Sequence, residues 1–299
     1  MERFCLNMEV LDNSGRKHKG VLNGQDLAGW EATYEAPLTY HYAGLEIGKC
    51  GPWSQGPVQL QTLALLNEMG VADWNPVSTD FVHRVTEALK LAFADREAYY
   101  GDPDFVKVPL KQLFSREYNR ERSKEISDRA SLELRPGKIS GFEVRMPEFD
   151  SSGRGDERFS AMGIGEPTVS KKGETRGDTC HGDVVDRWGN MVSAPPSGGW
   201  LESSPVIPEL GFCLNSRAQM FWLQEGLPAT LAPGKRPRTT LTPSMALRDG
   251  KGYLAYGTPG GDQQDQWQTM MVESLSGERV VGVSAGCGYS LALAADGSV

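Results

Sequence analysis

Between Asp128 and Asp178 the chain loses every sustained apolar period: Arg, Gly, Ser, Lys and Glu dominate, and apolar residues come singly. A stretch of that kind cannot bury enough surface to form elements of its own, so it reads as a flexible linker or flap. It constrains the fold because the chain differs in kind on its two sides. Upstream, Ser78–Tyr100 (STDFVHRVTEALKLAFADREAYY) places Phe81, Val82, Val85, Ala88, Leu89, Ala92 and Phe93 on one helical stripe behind a Ser/Thr/Asp start. Gly51–Gly70 (GPWSQGPVQLQTLALLNEMG) predicts a second, largely buried helix, with a Pro near its first turn and a stopping Gly. A more charged helix is expected from Ser115 to about Ser127, a short capped one within Asn23–Glu31, and a hairpin across Ala32–Cys50 that turns at Ala43-Gly44. Downstream, His181–Asp186, Met191–Ala194, Phe212–Leu214, Thr240–Leu247 and Tyr253–Tyr256 read as strands separated by DRWGN, RDGKG and TPGG turns. Helices mainly before residue 128 and strands mainly after residue 179 predict an α+β layered fold.

The balance of residues narrows the partners. With 299 residues, 39% hydrophobic and 23% charged, the chain is of globular composition, and its net charge of −8 opposes a nucleic-acid or anionic-membrane surface. No apolar run approaches the 18 or more residues of a membrane span, and Met1–Gly20 lacks a secretory apolar core, so the expected location is cytoplasmic. Five scattered cysteines and four histidines favour neither a disulfide scaffold nor a metal site.

At the junction, Gly177–Val192 reads GDTCHGDVVDRWGNMV. No G-x-S-x-G elbow accompanies it, and only His181 stands beside another reactive side chain. A cut immediately before Thr179 would free an α-amine to act as general base for that residue's own hydroxyl, with a reference pKa of roughly 7.7–8.0. That device wants a severable segment before the nucleophile and a rigid strand after it, and Asp178–Thr179 has both neighbours. By itself a Thr at a strand entrance is ordinarily a local hydrogen-bonding residue.

Four ordered motifs add to that reading: Thr179-Cys180-His181 followed by Val184-Val185-Asp186 and Gly189-Asn190; LNSRAQMF (Leu214–Phe221); PGKRPRTTLTPSMALRDG (Pro233–Gly250); and GTPGGDQQDQ (Gly257–Gln266). From about Gly20 to Val272 the chain resembles the gamma-glutamyltransferase (gamma-glutamyltranspeptidase) family of N-terminal nucleophile hydrolases. The resemblance implies an αββα sandwich, here truncated, and autocatalytic cleavage between Asp178 and Thr179, with Thr179 forming an acyl-enzyme. It implies an oxyanion hole at Gly260 and Gly261, a carboxylate-holding pair at Thr239 and Thr240, a nucleophile-placing hydroxyl at Ser197 and a donor-pocket Asn215. Neither cofactor nor metal is implied; the substrate is a small amide of the glutathione or gamma-glutamyl type, and the two fragments stay associated. Cys180 and His181 are expected to serve as scaffold.

Two departures qualify these expectations. The family's acidic residues after the donor-pocket Asn are absent, and Arg217 stands near, which suits an acyl group bearing a carboxylate without an amine. A related amidohydrolase for oxamate- or cephalosporin-type amides is therefore a second expectation, and an inactive remnant a third. The region before Thr179 is also about half of the family's large chain, and Gly277–Val299 resembles part of one RCC1-type propeller repeat. The expected organisation is a partial large-subunit-like segment over 1–178 with 128–178 as linker, a partial small-subunit-like segment over 179–272, and the repeat fragment over 277–299. A propeller-linked binding module is the reading from another class.

Overall fold

The computed structural model describes residues 1–11, 16–148, 181–196, 206–214, 217–257, 280–286 and 289–294. In chain order these hold helix α1 (Glu2–Asn7), strands β1 (Val10–Leu11) and β2 (Lys17–His18), α2 (Gly24–Gly29), β3 (Leu38–Tyr42), β4 (Leu45–Lys49), α3 (Gly56–Met69), α4 (Thr79–Tyr99), α5 (Leu110–Leu113) and α6 (Arg116–Ser123). There follow β5 (Gly182–Val185), β6 (Met191–Ala194), β7 (Val206–Ile207), β8 (Phe212–Cys213), β9 (Ser244–Arg248), β10 (Lys251–Tyr256), β11 (Val280–Gly286) and β12 (Tyr289–Ala294). Mixed helix and sheet, with the helices first, is the order the sequence predicts.

The principal sheet has four antiparallel strands in the order β10-β9-β4-β3. Its central ladder pairs Glu46 with Leu247 and Lys49 with Ser244, so strands from the two ends of the chain meet in the middle. Helix α3 packs on β3 and β4 and also on α4 and α6. Every residue from Gly56 to Leu66 is buried, and the polar ones have partners: Gln59 Nε2 donates to Tyr256 Oη at 3.3 Å, and Thr62 Oγ1 to the Val58 carbonyl at 2.8 Å. A helix enclosed on all sides needs no amphipathic stripe. It ends at Gly70, whose φ of 68° suits a residue without a Cβ and whose N–H returns to the helix.

Helix α4 begins where expected, with Ser78 Oγ accepting from the Phe81 N–H at 3.1 Å. Its inner face differs from the stripe read in the sequence. Val82 is exposed, whereas Leu91, Glu87, Asp95, Arg96 and Glu97 are buried. The reason is visible around Asp95, whose carboxylate accepts from Gln61 Nε2 (2.5 Å), the Gly137 N–H (2.7 Å), Tyr118 Oη (2.8 Å) and Arg122 Nη2 (3.3 Å). Burial pushes that carboxyl above its ordinary value although Arg122 and the donors pull it down. Gly137 lies in the stretch read as linker. Residues 128–148 hold no regular element, yet Ile139 is buried and Phe142, Val144 and Met146 pack against the core. The charged helix expected to reach about Ser127 stops at Ser123, and its Arg122 is buried beside Asp95.

Because Leu91 is fully buried in this core while Val82 faces solvent, Leu91→Ala should cost about 2–5 kcal/mol and Val82→Ala under about 0.5 kcal/mol, read as urea-unfolding free energies.

Candidate functional site

The segment Pro233–Leu241 precedes β9, and the strand expected from Thr240 begins only at Ser244. What holds Thr239 and Thr240 is a set of tertiary bonds. The Thr239 N–H donates to the Trp53 carbonyl at 3.2 Å, and the Thr239 carbonyl accepts from the Gln55 N–H at 2.9 Å. These bonds make a single parallel bridge between Ser54 and Thr239 and tie the segment to the entrance of α3.

The basic residues of PGKRPRTT each have an internal anchor. Lys235 Nζ donates to the Pro228 and Thr230 carbonyls at 2.7 and 3.0 Å. Arg236 Nη2 meets Asp102 Oδ1 at 2.7 Å, its N–H meets Asp102 Oδ2 at 2.8 Å, and its guanidinium lies 5.2 Å from the Trp53 ring centre while also pairing with Glu35. Arg238 reaches Glu97 at the end of α4, where Arg96 Nη2 also meets Glu97 Oε1 at 3.0 Å and Arg96 Nη1 bonds Gln55. Burial would raise the Glu97 carboxyl, but Arg96 and Arg238 outweigh it and hold the carboxyl below its ordinary value. A run of three cations is thus spent on holding one segment.

Three residues named from the sequence meet or adjoin here. Arg217, in the short 3₁₀ turn Arg217–Met220, donates from Nη1 to Thr240 Oγ1 at 3.2 Å, and Arg217, Thr239 and Thr240 are all buried. The Thr239 hydroxyl accepts from the Leu241 N–H at 3.1 Å. A buried guanidinium beside a threonine hydroxyl can donate to a carboxylate. Asp178, Thr179, Ser197, Asn215, Gly260 and Gly261 lie outside the described residues. No group of three or more His, Cys, Asp or Glu side chains among the described residues could hold a metal ion. No helix among them is long and apolar enough to cross a membrane.

The hairpin β5–β6 brings a further cluster beside β10. His181 Nε2 lies 2.9 Å from Asp183 Oδ2 and 3.5 Å from Ser193 Oγ. Both contacts use the same ring nitrogen, so this is not a Ser-His-Asp relay, in which acid and hydroxyl take opposite nitrogens. Nothing local in the sequence marks Glu97, Gln55, Asp102 or Asp183 as site residues. Glu97 and Asp102 carry no local signal beyond a charge at the end of a helix, and their roles arise from residues more than a hundred positions away.

Asp102 supplies a pH signature. Burial raises its carboxyl, but the side-chain and backbone bonds from Arg236 more than reverse this and hold it below its ordinary value. A carboxyl lowered on folding stabilises fully above its unfolded pKa of about 3.9 and loses that contribution as pH falls through the lower folded value. Urea-unfolding free energy should therefore decline between pH 5 and pH 2.5, and the decline should be shallower in Asp102→Asn.

Comparison with known proteins bears on what this arrangement is for. The family model described as Gamma-glutamyltranspeptidase matches residues 9–277. A glutathione hydrolase proenzyme of Bacillus subtilis subsp. natto is 28% identical over 256 residues, covering 85% of this chain and 41% of that protein. The acylase ACY 1 proenzyme of Pseudomonas sp. (strain SE83) is 32% identical over 243 residues, covering 81% of this chain and 38% of that protein. The solved structure of LmbA2991HD is 51% identical with a TM-score of 0.74, covering 92% of this chain and 44% of that one. The chain thus spans about two fifths of the length of the curated relatives it matches.

Proposed function

Because the chain belongs to the gamma-glutamyltranspeptidase family, we propose that it cleaves a small-molecule amide through a threonine acyl-enzyme after cutting itself between Asp178 and Thr179. The freed α-amine of Thr179 takes the proton from its own hydroxyl as Oγ attacks the amide carbonyl. Gly260 and Gly261 donate backbone N–H groups to the oxyanion, and the α-ammonium returns the proton to the leaving amine. Water or a second amine then takes the acyl group and regenerates the hydroxyl. Thr239 and Thr240 hold the donor's carboxylate, Asn215 lines the donor pocket, and Ser197 helps to place the nucleophile. None of these steps calls for a cofactor. The observation that carries the reading is the extent of the family match, which spans residues on both sides of Asp178–Thr179.

The organisation follows the same reading: a large-subunit-like segment over 1–178, a small-subunit-like one over 179–272 in a truncated αββα sandwich, and a partial RCC1-type repeat over 277–299. The family match ends at residue 277, just before the β11–β12 hairpin, which supports a boundary there in the sequence, while β11 itself packs beside β10 and β5.

For the donor, the first reading is an amide of the glutathione or gamma-glutamyl type, supported by the glutathione hydrolase relative. The second is an acyl group with a carboxylate and no amine. It is favoured by Arg217, whose guanidinium lies against Thr240 where a substrate ammonium would be repelled, and by the acylase relative.

Purified chain is expected to yield fragments of about 19 and 13 kDa on denaturing gels, and Thr179→Ala to remain whole. A parent that never cleaves refutes the enzyme reading and leaves the inactive remnant. Release of p-nitroaniline from gamma-glutamyl and glutaryl anilides distinguishes the donors. If the second reading holds, the glutaryl compound is the faster substrate, and Arg217→Gln lowers its kcat/KM by about tenfold or more, consistent with loss of one charge-assisted hydrogen bond.

A further inference from the structure

The cluster on the β5–β6 hairpin is a buried group of titratable side chains that the proposed reaction leaves unused, and it begins two residues after the proposed nucleophile. His181 and Asp183 are two residues apart, so their side chains share a face of the chain. Each side chain is only 2% exposed. Asp183 Oδ2 bonds the ring, whereas Asp183 Oδ1 is buried with no hydrogen-bond partner among the described residues. Such a carboxylate is costly to bury, and its bond to Nε2 fixes the orientation of the imidazole.

That orientation matters because of what lies under the ring. A Cβ added to Gly257 would fall 2.0 Å from His181 Cε1 and 2.5 Å from Nδ1, so the imidazole rests directly on the backbone of Gly257. A second contact of the same kind lies further along β10, where a Cβ at Gly252 would fall 2.4 Å from Met191 Sδ. The hairpin is thus seated at two glycines, Gly252 near the start of β10 and Gly257 immediately after its end.

We propose that His181 and Asp183 are a positioning pair that locks the strand following Thr179 onto the chain leading into Gly260 and Gly261. The inference rests on the functional reading above. Thr179 is two residues before His181, and Gly260 is three residues after Gly257. Since a residue spans at most about 3.6 Å, the seat ties nucleophile and oxyanion donors to one another by a short tether. The pair acts through that tether and not as a general base, because the carboxylate and the Ser193 hydroxyl both approach Nε2.

The test uses the full chain with His181→Phe, which keeps a ring but loses the bond to Asp183, and with Asp183→Asn, which keeps an oxygen able to accept from Nε2. Three quantities are read: the rate of appearance of the two fragments, kcat and KM for gamma-glutamyl and glutaryl p-nitroanilides, and hydrogen exchange of the amides from Tyr253 to Gly257. His181→Phe is expected to slow cleavage and lower kcat by about tenfold or more, to leave KM within about twofold, and to speed the exchange. Asp183→Asn should fall between it and the parent. A fall in KM-dependent terms alone, or cleavage, kcat and exchange all within twofold of the parent, overturns the proposal. Should His181→Phe fail to fold, Asp183→Asn decides by the same readings. Should the parent never cleave, the functional reading is refuted and exchange judges the lock by itself: faster exchange in His181→Phe supports it, and unchanged exchange overturns it.

Discussion

The buried carboxylate of Glu97 is the joint on which the helical and strand-rich parts of the chain turn. It accepts from Arg96 one residue back on the same helix and from Arg238 on the segment before β9. Removing Glu97 would leave two buried guanidiniums beside each other, so its absence would cost far more than one lost bond. Gln55 closes the arrangement by bonding Arg96 through its side chain and Thr239 through its backbone N–H. The entrance of α3, the end of α4 and the Thr239–Thr240 segment are therefore one unit, and Arg217 meets that unit at the Thr240 hydroxyl.

Much of this architecture was legible in the sequence where a local rule governs. Ser78 and Ser115 announce the starts of α4 and α6, and Asn23 caps α2 with a complete capping box. Gly70 ends α3, and the Ala43-Gly44 turn joins β3 to β4. What was not legible depends on partners far away in the chain. Val82 has the spacing of a core residue, but α4 turns Glu87, Asp95 and Glu97 inward because Arg135, Arg122 and Arg238 wait there. The strand expected from Thr240 starts late because Thr239 bonds to the 53–55 turn in place of a neighbouring strand.

The candidate site divides along the same line. Thr239, Thr240 and Arg217 could be named from motifs, and the geometry brings Arg217 to Thr240. The residues that hold them, Gln55, Glu97 and Asp102, belong to helices and turns whose local pattern says only that a polar side chain stands there. Asp183 was hidden for a different reason: an acidic residue alternating along an otherwise ordinary hairpin looks solvent-facing until the partner strand covers it.

The ladder between β4 and β9 has a consequence for any cut at Asp178–Thr179. β4 lies on one side of that bond in the chain and β9 on the other, and Glu97–Arg238 bridges the same division. Severing the chain would leave both pieces threaded through one sheet and one ion cluster, so they could part only by unfolding. Native sizing would register a single species before and after the cut. Recovery after denaturation would change more deeply, because an intramolecular search would become an encounter between two molecules, slower at every dilution.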